Sequence, residues 1–169
     1  MAKRIFVSIT CFTSLFLVVG FATHGDSSDS GFNPPKGFFL YKSAPKESSG
    51  GRGVAIQPDG KIVMVGVSYN GTNHRALVLR LNSDGTRDNT FGIGSVFTYG
   101  DKGKGNNYGS GIALQPDGKI VVVGDSHYAK SRDILVLRCN SDGSVDSTFG
   151  KGGVTTYKSR AKENQDIGF

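Results

Sequence analysis

Four aspartates stand where they could do chemistry. Asn82, Asp84 and Asp88 follow the pattern N-x-D-G-x-x-D, and Asn140, Asp142 and Asp146 repeat it. The spacing superficially resembles a calcium loop, and calcium at Asp84, Asp88, Asp142 and Asp146 is one expectation. Calcium takes about six or more oxygen ligands, ideally with a bidentate carboxylate late in the loop. Here three side chains per copy offer oxygen, and no Glu follows at the required distance. The competing expectation is turn chemistry, with Asn and Asp bonding nearby backbone and Asp88 and Asp146 capping the chain before Thr-Phe-Gly.

The remaining reactive side chains are sparse. His24, His74 and His127 are not spaced as metal ligands, and none lies beside a Ser or Cys in a nucleophile arrangement. The glycines form no phosphate loop, because no helix follows them. Asn70-Gly71-Thr72 matches a glycosylation acceptor, a weak pattern. Cys139 stands where the other copy has Leu81, inside the matched segments ALVLRL and ILVLRC, so a small buried apolar role is expected. No catalytic residue, metal ligand or cofactor-binding residue emerges.

Those residues are positioned by a repeat. Gly53–Tyr99 recurs without a gap as Gly111–Tyr157, at an offset of 58 residues, with 28 of 47 positions identical. Such a period means one structural unit used in series. Within a unit the pattern is strand after strand: a short Val54–Gln57, then Lys61–Ser68, Ala76–Leu81 and Ser95–Tyr99. In the third, Leu77, Leu79 and Leu81 share one face, and Ala76, Val78 and Arg80 the other. Both faces of the second and third strands are largely apolar, as in a sheet covered on both sides.

The turns are the clearest local signal. Gln57-Pro58-Asp59-Gly60 and Gln115-Pro116-Asp117-Gly118 join the first two strands. Pro presets the first dihedral, Asp bonds its own backbone, and Gly accepts positive φ. Asn82–Gly85 and Asn140–Gly143 serve the same purpose after the third strand. Between the second and third strands the copies diverge, and that is where ligand contacts can differ. The candidate binding residues are therefore Tyr69, Asn70, His74 and Arg75 in one copy, and His127, Tyr128, Lys130 and Arg132 in the other.

Four short antiparallel strands per unit, repeated, point to an all-β fold of β-propeller-like blades. There are two full repeats plus partial ends. Propellers close with about 4–8 blades, so an incomplete ring is expected, completed by self-association or by further repeats. The expected organisation is a signal peptide over 1–22, a flexible linker over 23–36, and the end of a degenerate repeat over 37–52. Repeat unit 1 covers 53–110, and 111–169 holds unit 2 and the start of a further unit.

Met1–Arg4 carries two positive charges, an apolar run follows from Ile5 to Val19, and Gly20-Phe21-Ala22 suits cleavage. The run is short for a span of about 20 apolar residues, so no membrane span is expected after cleavage. Removal of 1–22 would take away Lys3, Arg4 and Cys11 and lower the formal charge from +6 to +4. The basic residues are scattered, without the stripes of a nucleic-acid binder. Export to the periplasm, cell surface or beyond follows.

Three motifs in order carry a resemblance: Gln57–Ile62, Leu79–Gly85 and Asp88–Gly92, repeated as Gln115–Ile120, Leu137–Gly143 and Asp146–Gly150. Together they make most of residues 53–157 similar to the delta-60 repeat family of bacterial proteins. That resemblance implies a propeller-like repeat in exported proteins with no assigned chemistry, and it supplies no catalytic residue.

Two function classes are expected. The first is an exported, non-catalytic repeat module that binds a glycan or surface protein or serves as a scaffold. The alternative is a propeller-type enzyme, for example carbohydrate-active, with its site in the inter-strand loops. Paired carboxylates for such chemistry are missing from those loops, which favours the first.

Overall fold

The structure, a computed structural model, describes residues 19–20, 38–39, 41, 49–100, 105–128 and 131–158. Two short strands, β1 (Val19–Gly20) and β2 (Phe38–Phe39), pair with each other antiparallel. Then come two four-stranded meanders. The first is β3 (Ser49–Ile56), β4 (Ile62–Tyr69), β5 (His74–Leu81) and β6 (Val96–Tyr99). The second is β7 (Asn106–Leu114), β8 (Ile120–Tyr128), β9 (Ser131–Cys139) and β10 (Val154–Tyr157). Each sheet keeps its strands in chain order, all antiparallel. The twin segments adopt twin shapes, as the repeat requires. The rest of the expected signal peptide, the linker, Lys130 and Ser159–Phe169 lie outside the described residues.

The local chemistry explains the outline. Gly60 and Gly118 sit at φ +84° and +81°, each donating its N–H to the carbonyl of the Gln that opens the turn. Asp59 and Asp117 accept from the N–H two residues on, at 3.1 and 3.2 Å. The first strand of each unit is longer than the sequence pattern indicates. It begins at Ser49 in unit 1, because Gly50 and Gly51 offer no side-chain alternation yet still pair with Val67 and Gly66. A register shift between Gly51 and Gly53 leaves Arg52 as the extra residue, and Ser110 takes that place in unit 2. Such a bulge bends a strand and re-aims its side chains.

The sheets pack front to back. The back face of the first sheet presents Val63, Val65, Ala76 and Val78. The front face of the second presents Ile120, Val122, Leu135, Leu137 and Cys139, and all nine residues join one buried cluster with Phe91. The front face of the first sheet, with Ile62, Met64, Leu79 and Leu81, packs instead on Phe39 and Tyr41 from the β2 segment. The first sheet therefore uses the alternation of its strands twice, one face for each neighbour, whereas the second sheet packs through its front face. Fully burying a Val or Leu side chain contributes about 1.5–3 kcal/mol, so this shared cluster dominates the cohesion of the pair. Cys139 is fully buried within it, and burial followed by the charge of Asp142 pushes its thiol up to about 12.

Candidate ligand-binding end

The two sheets have chemically different ends. At the turn end, each unit carries a buried carboxylate clamped by two cations. Asp88 Oδ2 lies 2.7 Å from Arg80 Nε and 3.1 Å from Lys61 Nζ, while Oδ1 accepts from the N–H and hydroxyl of Thr90. Asp146 repeats this with Arg138, Lys119 and Thr148 at matching distances. Burial raises the Asp88 pKa, but the Thr90 hydrogen bonds and the charges of Lys61 and Arg80 together hold it well below the carboxylate range. The Thr148 hydrogen bond leads the same lowering at Asp146. Asp84 is lowered by the Thr86 side chain and backbone, and Asp142 by those of Ser144. The turn-capping role expected for Asp88 and Asp146 is thus present, and the cation clamp adds to it.

Arg80 also ties the sheets together. One of its terminal nitrogens donates to the Ser141 carbonyl of the second sheet, and its guanidinium lies 4.6 Å from the Phe91 ring centroid. Phe91 itself meets Gly143: a Cβ there would approach two ring carbons at 2.9 Å and the Gly92 nitrogen at 2.7 Å. An open groove of about 820 Å³ runs beside this contact, with Arg87, Ile93, Phe97, Asp142 and Val145 among its walls.

The opposite end gathers the variable loops. The β4–β5 hairpin places Tyr69 and His74 opposite one another in register, and the β8–β9 hairpin does so for His127 and Arg132. The start of β7 runs between the two hairpins. His74 N–H donates to Asn106 Oδ1 at 2.9 Å, which fastens unit 1 to β7. Four rings then follow one another across the boundary between units. Tyr69 and His74 have centroids 5.0 Å apart, His74 and Tyr108 stack at 5.2 Å and 28°, and Tyr108 and His127 lie 5.0 Å apart. Tyr108 Oη is 3.4 Å from His74 Nδ1, and the exposed Arg52 sets its guanidinium 5.3 Å from the Tyr108 ring centroid.

Polar groups surround these rings. Arg132 lies 3.5 Å from Asp125, a carboxylate only 2% exposed. His127 Nε2, Arg132 Nε and Asn107 Nδ2 are buried without a hydrogen-bond partner among the described residues. Burial first, then the Arg132 charge, lowers the His127 pKa against the opposing pull of Asp125.

Of the candidate binding residues, Tyr69, His74, His127 and Arg132 come together here. Asn70 is occupied within its own loop, its Oδ1 accepting from the N–H groups of Thr72 and Asn73 at 3.1 and 2.8 Å. Arg75 lies along Gly100, Tyr128 is 48% exposed at the hairpin tip, and Lys130 is outside the described residues. Sequence reasoning missed Tyr108 and Arg52. The available signal was a Tyr and an Arg in Gly-rich first strands, each without a counterpart in the other copy. Among the described residues, no three His, Cys, Asp or Glu side chains gather closely enough to hold a metal, and no helix is long and apolar enough to cross a membrane.

Two stacked four-stranded antiparallel sheets, with no helix among the described residues, define a repeat protein of β-propeller-like blades. A family model described as a domain of unknown function (DUF5122) beta-propeller matches residues 57–91 and 115–149, one stretch in each unit. Each match runs from the Gln of the first turn to the Phe beyond the second turn, Phe91 in one unit and Phe149 in the other. No curated protein matches the chain.

Proposed function

We propose that this chain is an exported, non-catalytic repeat module that binds a glycan through the end built from Tyr69, His74, Tyr108 and His127. One observation carries the reading. The ring array is assembled from both units, with partly exposed aromatic and imidazole edges and an exposed guanidinium at its side. Aromatic bodies with polar tips suit ligands that have both apolar and hydroxylated faces. The carboxylates nearest that end support binding over acid–base chemistry: Asp125 lies against Arg132, and Asp133 is 3.9 Å from Lys158. Export rests on the Met1–Ala22 pattern, and the delta-60 resemblance agrees with it.

A glycan array with the purified chain tests this, followed by titration of the best hit against Tyr108→Ala and His74→Ala. The expected result is saturable binding that both variants weaken about tenfold or more while circular dichroism is unchanged. Binding that survives both changes, or no binding across the array, overturns the assignment. Turnover of a saccharide in a hydrolase screen would favour the enzyme alternative.

A further inference from the structure

The two units share 28 of 47 aligned positions, yet their back faces are not equally covered. In the first sheet Val63, Val65 and Val78 are at most 1% exposed, because the second sheet lies on them. Their counterparts Val121, Val123 and Val136 are only half-buried. Phe91 is fully buried, whereas its counterpart Phe149 is half-buried. The Arg80 side chain is 6% exposed, and that of Arg138 is 20% exposed despite the same 2.7 Å bond to its Asp. Along β9 the pattern alternates without exception from Asp133 to Cys139, with the front-facing side chains buried and the back-facing ones half-buried. The second sheet thus carries a back face that matches one already bound to a front face within this molecule, except that Ile134 stands in place of Ala76.

We propose that this face docks on the front face of the first sheet of a second copy of the chain, head to tail. The internal interface is the template. Phe149 would meet Gly85 of the second copy as Phe91 meets Gly143. Arg138 would donate to the Ser83 carbonyl of the second copy as Arg80 donates to that of Ser141. Gly150 N–H would reach the Asp84 carbonyl of the second copy, as Gly92 N–H reaches that of Asp142.

The receiving face is covered within each copy by Phe39 and Tyr41. Phe38–Phe39 stand 58 residues before Val96–Phe97 and 116 before Val154–Thr155, so β2, β6 and β10 hold equivalent positions. In the docked pair, β10 of one copy therefore replaces β2 of the next. The β1–β2 pair is two residues long on each strand, isolated two-stranded pairs are marginal in water, and cleavage after Ala22 would remove β1 altogether and leave β2 unpaired. The incoming sheet brings a full apolar face and a tyrosine, Tyr157, now 62% exposed, at the place of Tyr41.

A contact that uses different faces on the two partners closes into a ring or runs on as an open stack. With two blades per copy and about 4–8 blades per propeller, closure takes about two to four copies.

Light scattering coupled to size-exclusion chromatography, in reductant and across a wide range of concentrations, tests the docking. The wild-type mass should climb with concentration to a small multiple of the chain mass, or to an open-ended series. Val136→Arg places a charge in the apolar contact and should weaken association on the order of a hundredfold or more, with unchanged circular dichroism. Val121→Lys supplies the same test should Val136→Arg fail to fold. A wild-type chain that stays at single-chain mass at every concentration, or folded variants that associate as well as wild type, would overturn the proposal.

Discussion

Replacing Arg80 with Met asks how much the cross-sheet arginine contributes. The change keeps an unbranched chain of similar bulk and removes the charge. It leaves Asp88, 3% exposed, with Lys61 as its remaining cation. Removing one partner of a buried pair costs about 3–5 kcal/mol, because the other charge stays desolvated. Loss of the charge-assisted bond to the Ser141 carbonyl accounts for about 1.5–3 kcal/mol of that kind of loss. Arg138→Met provides the internal control. It removes the same bond to an Asp, but its side chain is 20% exposed and the described residues give it no cross-sheet carbonyl. Urea unfolding followed by circular dichroism, at concentrations below any association, reads the difference. With a slope of about 2 kcal/mol per molar, Arg80→Met should lower the midpoint by about 1.5–2.5 M, and Arg138→Met by clearly less. Equal midpoint shifts, or a larger one for Arg138→Met, would refute the idea that Arg80 holds the two sheets together.

Other outcomes follow from the same geometry. Gly60→Val and Gly118→Val each force a β-branched residue to positive φ and should lower stability by at least about 1–2 kcal/mol; an unchanged melting temperature in either would count against the turn geometry. Cys139 should react with a thiol reagent only on unfolding, since burial disfavours its thiolate; rapid labelling of the folded chain would contradict its place in the core. Asp88 and Asp146 have depressed folded pKa values, so their stabilisation is present above the unfolded carboxylate value of about 3.9 and is lost as pH falls below it. His127, also depressed, favours the neutral ring, so stability should start to decline below about pH 6.5. A flat stability profile between pH 7 and 3 would remove the basis for both assignments.

The fold was largely legible because its signals are local. Gln-Pro-Asp-Gly and Asn-Ser-Asp-Gly specify their turns through their own dihedrals and side-chain bonds. The alternation of Ala76–Leu81 assigns each residue to a face without reference to distant parts of the chain. The ion clamps were harder to see, because Lys61, Arg80 and Asp88 come from three separate segments that only the hairpins bring together. Divergence between the copies pointed to Tyr69, His74 and His127 as candidate binding residues, but it could not add Tyr108 or Arg52 to the ring array. Those two stand on first strands where glycine masks the alternation, and a bulge shifts the register just beside them.

The front-to-back stacking of the two units is most directly tested by nuclear Overhauser contacts in isotope-labelled protein. Cross-peaks are expected between the Val65 methyls and the Gly109 α-protons, and between the Phe91 ring and the Gly143 α-protons. Their absence in the folded chain, with each unit showing contacts only within itself, would contradict the packing on which the whole account is built.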